Sequence, residues 1–218
     1  MNVFMELKLV DVWHSYDGVN YVLKNVNIVF SKPGVYVVVG PNGSGKTTLL
    51  KITALMIKPT KGFILVNGVD YWSLRDESLR INLKKNIVYV HDKPLIFRGS
   101  VEYNISLGVR SLYPREWSRI VEYHMKRYNI LNIRNESALR ISAGQAKIVT
   151  ILRALSLNPE VLLLDEPFTF LDKSRTRILL EDIVELSKKK VIIIATHYMY
   201  RELDEIKNQV IELPLSTP

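Results

Sequence analysis

The run Gly40-Pro41-Asn42-Gly43-Ser44-Gly45-Lys46-Thr47-Thr48 constrains this chain more than any other stretch. It satisfies the pattern G-x-x-x-x-G-K-[ST] and carries the flanks that the pattern requires. Before it, Val35-Tyr36-Val37-Val38-Val39 is rich in β-branched residues, the composition of a buried parallel strand. After it, Leu49, Leu50, Ile52, Thr53, Leu55 and Met56 recur at helical spacing, and Lys58-Pro59 is expected to stop the helix. The glycines therefore sit in a strand-to-helix turn. Without a Cβ, Gly43 and Gly45 allow backbone N–H groups to curl around phosphate oxygens. The N-terminus of the helix adds free N–H groups and partial positive charge. All of Gly40 to Thr48 is expected to cradle a nucleotide. Lys46 is expected to reach the β- and γ-phosphates, which makes it a candidate for catalysis as well as binding, and the Thr47 hydroxyl to ligate Mg²⁺.

With 218 residues, 47% of them hydrophobic and 24% charged, the chain has the size and composition of one α/β domain with a full core. It has no cysteine, which excludes disulfides and thiolate metal sites. The longest apolar runs, such as Val161–Leu164 and Val191–Ala195, have the length of strands rather than of membrane spans. The N-terminus, with Glu6 and Asp11 early on, does not have the pattern of a signal peptide. A soluble, cytoplasmic chain is expected. The formal net charge of +8 comes from 30 Lys+Arg against 22 Asp+Glu. These basic residues are scattered, with only Lys188-Lys189-Lys190 in a run, so nucleic acid is not an expected partner.

Residues 5–12 and 21–30 alternate apolar and polar side chains on either side of the Asp17-Gly18 turn, which predicts an antiparallel β subdomain at the N-terminus. Gly62–Gly68 and Ile87–Val90 read as two further strands. Between about 94 and 146 the pattern becomes helical, as an inserted α-helical subdomain would. Pro114 suits a first helical position, and Trp117, Ile120, Val121, Met125 and Tyr128 form one apolar stripe. Strands over Val161–Leu164, Val191–Ala195 and Val210–Leu213 then alternate with a helix over Lys173–Ser187 and another after His197. That alternation predicts a parallel sheet covered by helices.

Several further motifs follow in order. Ile141-Ser142-Ala143-Gly144-Gln145 resembles the L-S-G-G-Q signature of the ATP-binding cassette (ABC) ATPases. Val161–Asp165 followed by Glu166-Pro167 resembles the family's Walker B strand. Phe170-Leu171-Asp172 resembles its D-loop, and Ala195-Thr196-His197 carries its switch histidine. Together with the phosphate loop these cover essentially the whole chain. The resemblance implies a P-loop NTPase (RecA-like) α/β core, with residues 1–218 forming a single nucleotide-binding domain for ATP and Mg²⁺. It also implies roles. Asp165 would hold the metal's hydration shell with Thr47, and Glu166 would act as general base on the attacking water. His197 would sense the γ-phosphate. Tyr16 lies where the family places an aromatic against the adenine ring, with Tyr21 as the competing candidate. His14, His91 and His124 lack such a context and are expected to be structural.

Ser142 and Gln145 also make an S-x-x-Q capping box for a helix running on through Ile148, Ile151, Leu152 and Leu155. In the family that helix N-terminus faces the nucleotide of a partner domain. Ser142, Ala143, Gly144, Gln145 and the D-loop Asp172 are therefore expected to complete the second site of a dimer, either of identical or of different chains. The sequence departs from the family pattern in three places. Ala143 replaces the first Gly of the signature, and Ile148 replaces the usual Arg. Asp92 stands where a glutamine contacts Mg²⁺ and the water, so it is expected to bring a second carboxylate to the metal.

The resemblance points to the ATP-hydrolysing subunit of an ABC transporter, peripheral on the cytoplasmic face of the membrane, with transmembrane permease subunits on separate chains. Leu95, Ile96 and Phe97 resemble the segment that receives the permease. An importer is favoured, and Val90–Arg110 is faintly similar to subunits that serve oxyanions such as tungstate or molybdate. The chain ends soon after its last strand, so a C-terminal regulatory domain is not expected. The alternatives are an ABC ATPase acting on nucleic acid or ribosomes, or a non-hydrolysing ATP sensor. The former lacks its usual coiled coil, second cassette or cysteines, and Glu166 and His197 weigh against the latter.

Overall fold

The computed structural model describes residues 4–213. A hairpin of β1 (Leu7–Ser15) and β2 (Tyr21–Phe30) opens the chain, and β3 (Gly34–Val39) leads through the phosphate loop into α1 (Lys46–Thr53). β4 (Lys61–Val66), the short β5 (Val69–Asp70), α2 (Glu77–Lys84) and β6 (Ile87–Val90) follow. The helical region comprises α3 (Val101–Ser106), α4 (Val109–Leu112), α5 (Trp117–Arg127) and α6 (Ala143–Ser156). β7 (Val161–Asp165), α7 (Lys173–Ser187), β8 (Val191–Thr196), α8 (Arg201–Ile206) and β9 (Lys207–Glu212) end the described chain.

The strands form two sheets. An antiparallel sheet runs in the order β2-β1-β4-β5, and a parallel one in the order β6-β7-β8-β3-β9. Alternation along the parallel strands divides the interior in two. Val35, Val37, Leu162, Leu164, Ile192 and Ile194 join the core formed with the helical region and α7. Their neighbours Tyr36, Val38, Val161, Leu163, Val191 and Ile193 join the core shared with α1 and the antiparallel sheet. Both faces of these strands are buried, which explains why β3, β7 and β8 read as unbroken apolar runs while β1 and β2 alternate.

The P-loop NTPase architecture expected from the sequence is present, with differences of extent. α1 ends at Thr53, well before Pro59, because Leu55 adopts a left-handed φ of 58°. Its N–H bonds the Ile52 carbonyl and that of Met56 bonds the Lys51 carbonyl, a Schellman closure with leucine in the place usually taken by glycine. Pro114 lies in a turn ahead of α5 rather than at its first position. β9 begins at Lys207, ahead of the apolar residues that mark it in the sequence. The stripe on α5 packs as expected, with Val121, Met125 and Tyr128 fully buried. Among the described residues no helix is long and apolar enough to cross a membrane.

Candidate nucleotide site

The parallel sheet delivers the site at the carboxyl ends of its strands, where ligands of open α/β sheets bind. Val39 ends β3 opposite Thr196 of β8, and Asp165 ends β7 opposite Ala195. A cavity of about 240 Å³ opens beyond them. Its walls are Asn42, Gly43 and Gly45 to Thr48 of the phosphate loop, Val22 of β2, and the three carboxylates Asp92, Asp165 and Glu166. A larger cavity, of about 400 Å³ between α5, α6 and α7, is lined by Ile120, His124, Leu155 and Asp182 among others, and by none of the motif residues.

Gly45 caps α1 at φ 98°, and a Cβ there would come within 3.0 Å of the Leu23 side chain and 3.1 Å of Val22, so both conformation and space call for glycine. The Lys46 ammonium donates to the carbonyls of Gly40 (2.8 Å) and Pro41 (3.1 Å), curling back over the loop. Ser44 N–H bonds the Pro41 carbonyl, while the Ser44 hydroxyl is buried without a partner.

The carboxylates differ in their surroundings. Asp165 is buried, and its Oδ2 accepts from the Thr47 hydroxyl at 2.7 Å and the Tyr89 phenol at 2.9 Å. Its Oδ1 is buried with no partner. Burial and the Asp165 charge push the Tyr89 phenol far above its usual range, so it stays protonated and donates. Glu166 follows β7 with φ 44°, a left-handed conformation costly for a residue with a side chain, and its N–H is tied to the Ala195 carbonyl at 2.9 Å. That conformation sends its carboxylate between Lys46 Nζ at 4.0 Å and His197 Nδ1 at 2.9 Å. Asp92 Oδ1 lies against Nδ1 of the His91 ring, a nitrogen that accepts from Lys93 N–H at 3.2 Å. Tyr16 is exposed. Its hydroxyl lies 3.1 Å from Thr48 Oγ1, and its ring stands edge-on to His14 at 4.7 Å between centroids.

Other expected site residues lie elsewhere in the chain. Ser142 Oγ accepts from Gln145 N–H and Gln145 Oε1 from Ser142 N–H, the capping box at the start of α6. Gly144 packs against the D-loop, where an added Cβ would meet the Phe170 carbonyl oxygen at 2.6 Å. Asp172 caps α7 by accepting from Arg175 N–H at 2.9 Å. None of Ser142, Ala143, Gly144, Gln145 and Asp172 lines the phosphate cavity of its own chain.

Two residues not singled out from the sequence belong to this region. Tyr89 is one, through Asp165. The other is Lys147 of α6, fully buried, whose ammonium donates to the carbonyls of His91 (3.1 Å), Asp92 (2.9 Å) and Asp165 (3.2 Å). Burial lowers its pKa to about 8, against the opposing pull of the Asp165, Asp92 and Glu166 carboxylates. A lysine four residues before Ile151, on the apolar stripe of a helix, was the available signal.

A phosphate loop between strand and helix, facing two carboxylates at the end of β7, which β8 separates from β3 in the sheet, defines a P-loop nucleotide-binding protein. The sequence model of the ABC transporter family matches residues 23–169. A protein of Pyrococcus abyssi, provisionally described as an ABC transporter ATP-binding protein, is 34% identical over 208 residues, which cover 93% of this chain and 78% of that one. A phosphate import ATP-binding protein of Shouchella clausii is 33% identical over 195 residues, 84% of this chain and 72% of that one. Among solved structures, a dimeric ATP-binding cassette in a post-hydrolysis state bound to ADP and Pi superposes with a TM-score of 0.82 at 25% identity, covering 95% of this chain and 94% of that one. The structure of cbiO1 from Clostridium perfringens, part of the cbiONQ ABC transporter complex, gives 0.72 at 30% identity, covering 88% and 78%. This chain belongs to the ABC transporter family.

Proposed function

We propose that residues 1–218 act as a single nucleotide-binding domain, the ATP-hydrolysing subunit of an ABC importer working as a dimer on separate permease subunits at the cytoplasmic face of the membrane. Residues 1–3 and 214–218 of that span lie outside the described residues. One observation carries the hydrolytic part. The Glu166 carboxylate stands between the phosphate-loop Lys46 and His197, where it can take a proton from a water attacking the γ-phosphate. Lys46 then offers charge to the β- and γ-phosphates, and His197, with Nδ1 on Glu166, keeps Nε2 for the γ-phosphate. Kinship with a phosphate import subunit supports an importer of an oxyanion, the class to which tungstate and molybdate also belong. The cbiONQ assembly supports permease partners.

The donor set fits Mg²⁺. Among the described residues no group of three or more His, Cys, Asp or Glu could hold a metal by itself. The unpartnered Oδ1 of Asp165 and the adjacent Thr47 hydroxyl instead match the sparse protein ligation of a Mg²⁺ that also takes phosphate oxygens and water. Bound there, the ion would neutralise charge on the phosphates. Asp92, lining the same cavity, makes that dependence steep, since its charge repels metal-free ATP. The Asp92→Gln variant is expected to bind metal-free ATP more tightly and to need more Mg²⁺ for half-maximal turnover. Identical Mg²⁺ titrations of both proteins would leave Asp92 as a loop residue with no part in metal binding.

Tyr16, exposed and tethered through its hydroxyl to Thr48, is the proposed base platform. Tyr16→Ala is expected to weaken ATP binding by about 1–3 kcal/mol and Tyr16→Phe to be nearly neutral. Unchanged affinity in the Ala variant would move the platform elsewhere. The transport assignment is tested in proteoliposomes holding this chain with a membrane protein encoded beside it. Oxyanion uptake that requires ATP on the subunit's side supports it, whereas ATPase activity indifferent to the membrane subunit, with no uptake, contradicts it.

A further inference from the structure

The ammonium of Lys147 sits where three structural parts meet. Its own helix, α6, begins at the Ser142–Gln145 capping box. The carbonyls of His91 and Asp92 belong to the loop after β6, and the carbonyl of Asp165 ends β7. An ammonium has three donors, and here each has a backbone acceptor between 2.9 and 3.2 Å. No carboxylate is bonded to it directly. An apolar side chain would fill this buried position without the cost of desolvating a charge. The lysine thus supplies something other than volume, namely a fixed distance between the helix and two backbone segments that each carry a carboxylate. The same helix grips the loop a second time farther along. Arg153 donates to the Leu95 carbonyl at 2.9 Å and to the Asn104 carbonyl at 2.7 Å, with its guanidinium over the Phe97 ring.

We propose that Lys147 is a positioning residue for ATP turnover, locking the Asp92 loop and the carboxyl end of β7 to the signature helix. The metal-side carboxylates of one site and the Ser142–Gln145 turn that serves the other would then move as one body. Held this way, Asp92 and Asp165 keep their spacing to the phosphate loop, and any displacement of α6 is passed to both. This rests on the ATPase reading above.

The test compares wild type with Lys147→Met and Lys147→Gln for kcat, ATP affinity, the Mg²⁺ concentration at half-maximal rate, and melting temperature. In Lys147→Met, kcat is expected to fall about 10–100-fold, since small misplacements near reacting groups cost that much. The Mg²⁺ midpoint is expected to rise severalfold, while ATP affinity stays within about twofold because the phosphate loop is untouched. Lys147→Gln, which keeps two donors on a shorter stem, is expected to fall between the two. If the Met variant does not fold, the Gln variant carries the same readings. A lowered melting temperature with wild-type kcat and Mg²⁺ midpoint, measured where the variant is fully folded, would overturn the proposal. A wild-type protein without ATPase activity would instead contradict the ATPase reading.

Discussion

Glu166→Gln is expected to slow ATP hydrolysis by about 10²–10⁴-fold, equivalent to about 2.7–5.4 kcal/mol of barrier, with ATP affinity almost unchanged. The amide keeps the volume and backbone conformation of the acid, including the left-handed φ of 44° held by the bond to the Ala195 carbonyl. It removes the negative charge, and with it the ability to accept a proton, at the point flanked by Lys46 and His197. Single-turnover hydrolysis measured beside equilibrium nucleotide binding separates the two effects. A variant that hydrolyses at the wild-type rate would make Glu166 a structural acid and move the base elsewhere.

The second large effect concerns Gly144, which does not line the phosphate cavity of its own chain. A methyl at Gly144 would lie 2.6 Å from the Phe170 carbonyl oxygen, closer than carbon and oxygen tolerate, and the obstacle is backbone rather than a flexible side chain. Phe170 is already left-handed at φ 69°, four residues beyond Glu166 in the same loop. Gly144→Ala must therefore displace the start of α6, the D-loop, or both. Turnover is expected to fall about 10²-fold, the cost of misplacing reacting groups by about an ångström. ATP binding by the chain's own phosphate loop should persist, because Gly144 does not line the phosphate cavity. Ala143→Gly, one residue earlier, is the control and should be close to wild type. Equal turnover in Gly144→Ala and wild type would mean that the signature and D-loop separate without consequence.

The parts of the fold legible in the sequence were those where hydrophobic pattern and local geometry agree. The unbroken runs of β3, β7 and β8 and the alternation in β1 and β2 each describe how many faces of a strand are buried. The capping box of α6 is a local chemical statement that needs no tertiary contact. Where tertiary geometry decides, the pattern misled. The apolar spacing of Leu55 and Met56 continues past the true end of α1, because a left-handed leucine is not visible in spacing. α2 buries no side chain fully and packs Leu83 only partly against the core, too short an apolar face to announce it, although Asp76 caps its first turn by accepting from Leu79 N–H. The convergence of Asn42, Lys46, Thr47, Asp165 and Glu166 on one cavity was legible because each sits in a motif whose spacing encodes a strand end or a turn. Tyr89 and Lys147 were not, since neither belongs to such a motif and their roles come only from folded contacts with Asp165, His91 and Asp92.

The composite site is the centre of this account, since each chain offers one phosphate cavity and one signature turn that stays outside it. Light scattering of the Glu166→Gln protein with and without MgATP tests it most directly. The expected result is a monomer without nucleotide and a dimer with it, together with wild-type turnover per chain that rises with protein concentration. A Glu166→Gln protein that stays monomeric in saturating MgATP, beside wild-type turnover independent of concentration, would contradict it.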